Sequence, residues 1–209
     1  MTGQTRLARK KRPGSRGSRE VARKLLHIAA SVAATAVVWG LPAWPARVIC
    51  VAAAVVAYIV EFVRLRSPAA GRKFLETFGP LLRAPETCDI TGATTLATGF
   101  AITILLFPPP IAAVGFLYAG LGDAAAALVG RRFGRHRLRC RKSLEGSLAF
   151  LLASLVAGWV APDVAFPPAA IGAVAATLVE AVPLPTTMDN LVLPIVSAAT
   201  IWIANGLLF

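Results

Sequence analysis

The chain has 209 residues, of which 56% are hydrophobic, yet it carries a formal net charge of +12. A mean hydropathy of +0.68 beside that charge excludes an ordinary soluble domain and indicates a membrane protein of several spans. Cys50, Cys88 and Cys140 lack CxxC or metal-ligand spacing, which argues against a disulfide framework or a zinc site.

In chain order, the first segment places Arg6, Arg9, Lys10, Lys11, Arg12, Arg16 and Arg19 among glycine, serine and proline. Such a composition cannot bury a core, so residues 1–20 are expected to be a disordered basic cytoplasmic tail ahead of an integral membrane domain at 21–209. Each charge near an anionic bilayer contributes about 1 kcal/mol of attraction. No aromatic residues are interleaved and no nucleic-acid fold follows, so no nucleic-acid partner is expected. Arg23, Lys24 and His27 continue the basic region into the apolar run, which fits a cleaved signal peptide poorly.

Apolar runs then match a hydrocarbon core of ~30 Å at ~1.5 Å rise per residue. They lie at Leu25–Leu41, Ala46–Val63, Thr91–Phe107, Ile111–Val129, Leu144–Ala161, Ala169–Val182 and Leu191–Leu208, the sixth being short. Prolines punctuate the joins at Pro42, Pro45, Pro108–Pro110, Pro162, Pro167, Pro168, Pro183 and Pro185, as helix ends require. The fold class is therefore all-α, a polytopic bundle of about seven transmembrane helices. Between the second and third runs, Pro68–Arg83 reads as a short interfacial amphipathic helix. With the N-terminus cytoplasmic, every Lys and Arg but Arg47 falls on the cytoplasmic side, which sets the orientation in a cell membrane.

Polar groups gather at that same face. Arg23, Lys24 and His27 enter the first span, Glu61 leaves the second, and Asp89, Thr91 and Thr94 enter the third. Lys142, Ser143, Glu145 and Ser147 enter the fifth, Glu180 leaves the sixth, and Asp189 and Asn190 enter the seventh. Asp123 lies inside the fourth span, eight residues before Arg131. A carboxylate at that depth costs ~2.5–3.5 kcal/mol on insertion scales, so it reads as functional, with a structural ion pair as the alternative. Magnesium, which favours a few carboxylates plus phosphate oxygens, suits Asp123, Glu180 and Asp189. Lys142, Arg131 and Arg132 suit phosphate charge, and the helix starts at Ser143–Ser147, including Gly146, and at Asp189–Asn190 offer backbone donors. Gly122, Ala126 and Gly130 form a small-residue stripe suited to close helix packing. His27 is equally compatible with a structural hydrogen bond and a catalytic role. GxxxxGK[ST], HExxH and GxSxG are absent.

The ordered blocks RKLLH (Arg23–His27), TGAT (Thr91–Thr94), GDAAAALVGRRFG (Gly122–Gly134), RKSLEGS (Arg141–Ser147) and EAVPLPTTMDNLVLP (Glu180–Pro194) resemble the polyprenol kinase family. That family includes dolichol kinase, phytol kinase and the CTP-dependent diacylglycerol kinase, and the resemblance runs from about Glu20 to the C-terminus. It implies a multi-pass lipid kinase domain that uses CTP or another nucleoside triphosphate, with magnesium or manganese, to phosphorylate an isoprenoid alcohol or diacylglycerol. It further implies that Asp123 acts as metal ligand or general base, and that Lys142, Arg23 and Lys24 contact phosphate, with Ser143, Glu145, Gly146 and Ser147 beside them. Met188 stands next to Asp189 where relatives can carry further polar residues. Two other readings remain: a phosphatidate cytidylyltransferase, in which a lipid phosphate attacks the α-phosphorus of CTP, and a non-catalytic transporter or assembly subunit.

Overall fold

A computed structural model describes residues 14–138, 142–185 and 187–209, and its regular elements are helical. Helix α1 (Gly14–Gly40) ends ahead of Pro42, and α2 (Ala43–Arg66) follows with Arg64 and Arg66 in its last turn, where cations complement the helix dipole. The start of α1 corrects the sequence expectation at one end: residues 14–20 are helical, while 1–13 lie outside the described residues. One local and one tertiary contact accompany the helix there. Arg23 pairs with Glu20 one turn earlier at 2.5 Å, and Arg131 Nη1 donates to the Gly17 carbonyl at 3.2 Å.

Helix α3 (Pro68–Phe78) starts on the expected amphipathic segment, with Pro68 in its first turn and Ser67 Oγ accepting the Ala70 N–H at 3.3 Å. Short 3₁₀ turns at Gly79–Leu81 and Pro85–Thr87 lead to α4 (Gly92–Leu106), capped by Thr91. Pro108 precedes α5 (Pro109–Leu117), which runs through a π-turn at Tyr118–Gly122 into α6 (Asp123–Phe133). An antiparallel bridge between Arg137 and Ser143 closes the following hairpin, and α7 (Leu144–Val160), α8 (Phe166–Ala181) and α9 (Met188–Leu208) complete the bundle.

Each apolar run of the sequence has its helix, but lengths differ. The helices at Arg19–Gly40, Ala43–Arg66, Pro109–Phe133 and Met188–Leu208 are long and apolar enough to cross a membrane, whereas α4, α7 and α8 are shorter. At 15, 17 and 16 residues, these three reach about 22–26 Å at 1.5 Å per residue. Position in the bundle also differs. The continuous α5–α6 segment is 78% buried over its most apolar window, against 22–33% for the other three long helices. It is the central column, with α1, α4, α7 and α9 packed directly on it, while Val56, Phe62, Leu152, Val156, Leu178 and Leu207 face outward, as expected of lipid-exposed surfaces.

Small residues set the spacing around that column. A Cβ on Gly120 would overlap Ser31 of α1, and one on Gly122 would sit 2.8 Å from the Phe150 ring of α7. Gly130 and Gly146 face each other across the α6–α7 contact, where Cβ atoms would meet Ser143 Oγ at 2.8 Å and the Ala126 carbonyl at 2.9 Å. The Gly122–Ala126–Gly130 stripe is thus a packing surface. Pro194, inside α9, lies against Gly99 of α4 and Gly115 of α5, so three helices converge where the proline ring needs room.

Candidate functional site

The polar groups named above meet at one end of the bundle, formed by the starts of α1, α4, α7 and α9 and the ends of α2, α6 and α8. At the opposite end Arg47 Nε donates to the Ile104 carbonyl at 3.2 Å.

The π-turn directly precedes Asp123, and such turns reset which face a helix presents. Asp123 is buried and forms an ion pair with the equally buried Lys24 of α1. A second ion pair joins Lys142, in the hairpin strand before α7, to Glu180 at the end of α8, at 2.6 Å, and Ser147 Oγ donates to the other Glu180 oxygen at 3.0 Å. Both pairs border one cavity of about 900 Å³. Its lining holds seven Lys or Arg, namely Arg19, Arg23, Lys24, Arg83, Arg131, Arg137 and Lys142, against the four acids Glu20, Asp123, Glu180 and Asp189. The excess of cations gives it a positive potential that suits a polyanion. Ser143 and Gly146 also line it, beside the first turn of α7, where Ser143 Oγ accepts the Gly146 N–H at 3.1 Å.

A third network lies apart from it. Glu61 Oε1 accepts from the Thr91 N–H at 2.9 Å, Thr91 Oγ1 at 2.7 Å and Thr94 Oγ1 at 2.9 Å, while Oε2 accepts from Arg64 Nε at 2.5 Å. Arg64 also donates to the Thr87 carbonyl at 3.3 Å and to the Asp89 carbonyl. This satisfied cluster ties α2 to the entry of α4 and borders a second cavity of about 740 Å³, lined almost wholly by apolar side chains of α1, α2, α3 and α4. His27 lines it as well. Arg23, Leu81 and Leu82 line both cavities, so the apolar and cationic chambers adjoin.

Several residues expected at the site stand elsewhere. Glu145 Oε1 accepts from the Arg135 and His136 N–H groups, each at 3.0 Å, and contacts His136 Nδ1 at 2.8 Å, so it closes the hairpin instead of facing either cavity. The Arg132 guanidinium lies over Phe133, 5.6 Å from the ring centroid. Asn190 Nδ2 donates to the Gly92 carbonyl at 2.9 Å and links α9 to α4. Asp123, Glu180 and Asp189 share the cationic cavity but form no three-carboxylate metal group, and among the described residues no three His, Cys, Asp or Glu side chains come together for one. The physical reason is that Asp123 and Glu180 are each engaged by a lysine. Such a set fits a magnesium ion that brings its own ligands on a nucleotide, since this metal takes one or two carboxylates plus phosphate oxygens and water.

Sequence reasoning missed Glu86, Arg83 and Arg137. Glu86 is 3% exposed and sits in the loop between α3 and α4, away from any span, so no hydropathy pattern marks it.

The polytopic helical bundle thus sets an apolar chamber beside a cationic one, an arrangement with room for an apolar molecule next to a polyanion. The chain is similar to the CTP-dependent diacylglycerol kinase 1 of Schizosaccharomyces pombe, 28% identical over 164 residues that cover 70% of this chain and 75% of that one. It is 33% identical over 141 residues to the phytol kinase of a Synechocystis species, covering 66% of this chain and 56% of the relative. It is 35% identical over 113 residues to a dolichol kinase of Schizosaccharomyces pombe, covering 47% and 22%. The chain thus spans little more than half of that phytol kinase and under a quarter of that dolichol kinase. No family profile and no solved structure matches it. These relatives are lipid kinases by name, and together they support a polyprenol kinase assignment for the chain at modest identity.

Proposed function

We propose that this protein transfers the γ-phosphate of CTP to the hydroxyl of a membrane lipid alcohol, at the cytoplasmic face of the cell membrane. The observation that carries the reading is the pair of adjoining cavities, one apolar and one cationic, with Arg23 in the wall of both. CTP as donor rests on the name of the diacylglycerol kinase relatives, and the cytoplasmic face on the placement of Lys and Arg.

In this reading Lys24, Lys142 and Arg131 receive the triphosphate, with backbone donors from the start of α7. Asp123 and Glu180 hold the two lysines extended into the cavity, so little side-chain freedom is lost when phosphate arrives. Asp123 and Asp189 are the carboxylates that would hold magnesium, which when bound would neutralise phosphate charge. Most acceleration in phosphoryl transfer comes from positioning and charge neutralisation, and a rigid cationic chamber supplies both. Residues 21–209 serve as the kinase domain.

Purified protein given γ-labelled or α-labelled CTP with a lipid alcohol tests the reaction. Label entering lipid from the γ position alone is the expected result. Label entering only from the α position would instead make the protein a cytidylyltransferase.

A further inference from the structure

Three residues in the wall of the apolar cavity each bury a polar atom without a partner: Arg23 Nε, His27 Nδ1 and Glu86 Oε1. The other polar groups of its wall, Glu61, Thr91 and Thr94, satisfy one another. Glu86 Oε2 accepts the Arg83 N–H at 3.1 Å, which anchors the carboxylate and leaves Oε1 without a partner in the wall. Gly92 lies beside it, where a Cβ would stand 3.4 Å from Glu86 Oε1 and would crowd Asn190 Nδ2 at 2.9 Å. Buried polar atoms are almost always paired, so three orphans in the wall of one chamber indicate a missing ligand.

The orphans also specify its chemistry. A hydroxyl donates one hydrogen bond and accepts two. Glu86 Oε1 is an acceptor, Arg23 Nε–H is a donor, and His27 is a second donor in its Nδ1–H tautomer. The remaining wall is apolar and follows α1 from His27 to Val37, about 15 Å at 1.5 Å per residue, with Ile49, Cys50 and Phe100 toward its far end. The polar end is the one that adjoins the cationic cavity through Arg23.

Building on the kinase reading, we propose that this chamber binds the lipid alcohol with its hydroxyl donating to Glu86 Oε1 and accepting from Arg23 and His27, and its chain lying between α1, α2 and α4. Glu86 is thereby a substrate-binding residue that selects an alcohol over an equally apolar molecule without a free hydroxyl.

The test uses the full chain in lipid nanodiscs and a photo-crosslinking C20 isoprenoid alcohol as probe. Competitors are an unlabelled C20 alcohol and its methyl ether, which keeps the chain and removes the donor. The alcohol should compete at least about tenfold better than the ether, as expected for a hydrogen bond to a buried charge. In Glu86→Gln the preference should fall to within about twofold, while labelled CTP binds as in the parent protein. Should that variant not fold, Glu86→Asp retracts the carboxylate by one methylene and must reduce the preference in the same way. An unchanged preference in a folded variant, or none in the parent, overturns the proposal. Loss of phosphoryl transfer with the preference intact would count against the kinase reading alone, because the competition needs no turnover.

Discussion

Replacing Lys24 by Met leaves Asp123 as a buried carboxylate with its cation removed, since both side chains are almost fully enclosed between α1 and the central column. Breaking a buried pair from one side costs about 3–5 kcal/mol, whereas replacing both partners by apolar groups is often neutral or stabilising. With an unfolding entropy of about 2.1 cal/mol/K per residue, that loss lowers the midpoint of thermal unfolding by about 7–11 °C for a chain of this length. Lys24→Met should therefore unfold that much earlier in nanodiscs, monitored by tryptophan fluorescence, and Lys24→Met/Asp123→Leu should recover most of the difference. Both variants should lose lipid phosphorylation, because in the proposed mechanism the cation and the acid act on nucleotide and metal. A double variant as unstable as the single one would refute the argument from an uncompensated charge. A stable double variant that still phosphorylates lipid would refute the placement of the pair in the reaction.

Gly122→Leu forces a side chain into the Phe150 ring and Ser154 Oγ, and overpacking of this kind should cost about 1–3 kcal/mol, read by the same melting assay. Lys142→Ala should raise the KM for CTP more than the KM for lipid, and the parent enzyme's KM for CTP should rise with salt as the cationic cavity is screened. Equal changes in both KM values would count against a nucleotide role for this cavity. Hydrogen exchange at the Arg135 and His136 amides should accelerate in Glu145→Gln, because both donate to the Glu145 carboxylate, and exchange unaffected by that substitution would show that the hairpin does not rest on it.

Hydropathy alone located every long helix, because a span must satisfy its backbone internally and its side chains must suit lipid, two demands that leave a strong local signature. Composition misread residues 14–20, where contacts with Arg131 and within the first turns of α1 accompany a helix that includes glycine and serine. The candidate site was legible as a list of residues at one face, since charges within apolar runs stand out one by one. Their pairing was not legible. Lys24 meets Asp123 across 99 positions and Lys142 meets Glu180 across 38, distances over which periodicity carries no information. Glu145 illustrates the same limit at short range: it turns away from the cavity because the hairpin offers it two backbone N–H groups. Glu86 has neither a span nor a motif around it, and only its burial and its unpartnered oxygen draw notice.

The central claim is that the two adjoining chambers bring a lipid hydroxyl to the γ-phosphate of CTP. The most direct measurement incubates the purified protein with γ-labelled CTP, magnesium and a panel of C20 isoprenoid alcohol, dolichol and diacylglycerol, with the lipid products read by mass spectrometry. The account predicts a labelled lipid monophosphate from at least one alcohol, and its disappearance in Asp123→Asn. A lipid phosphate formed equally well by Asp123→Asn, or no labelled lipid from any member of the panel, would contradict it.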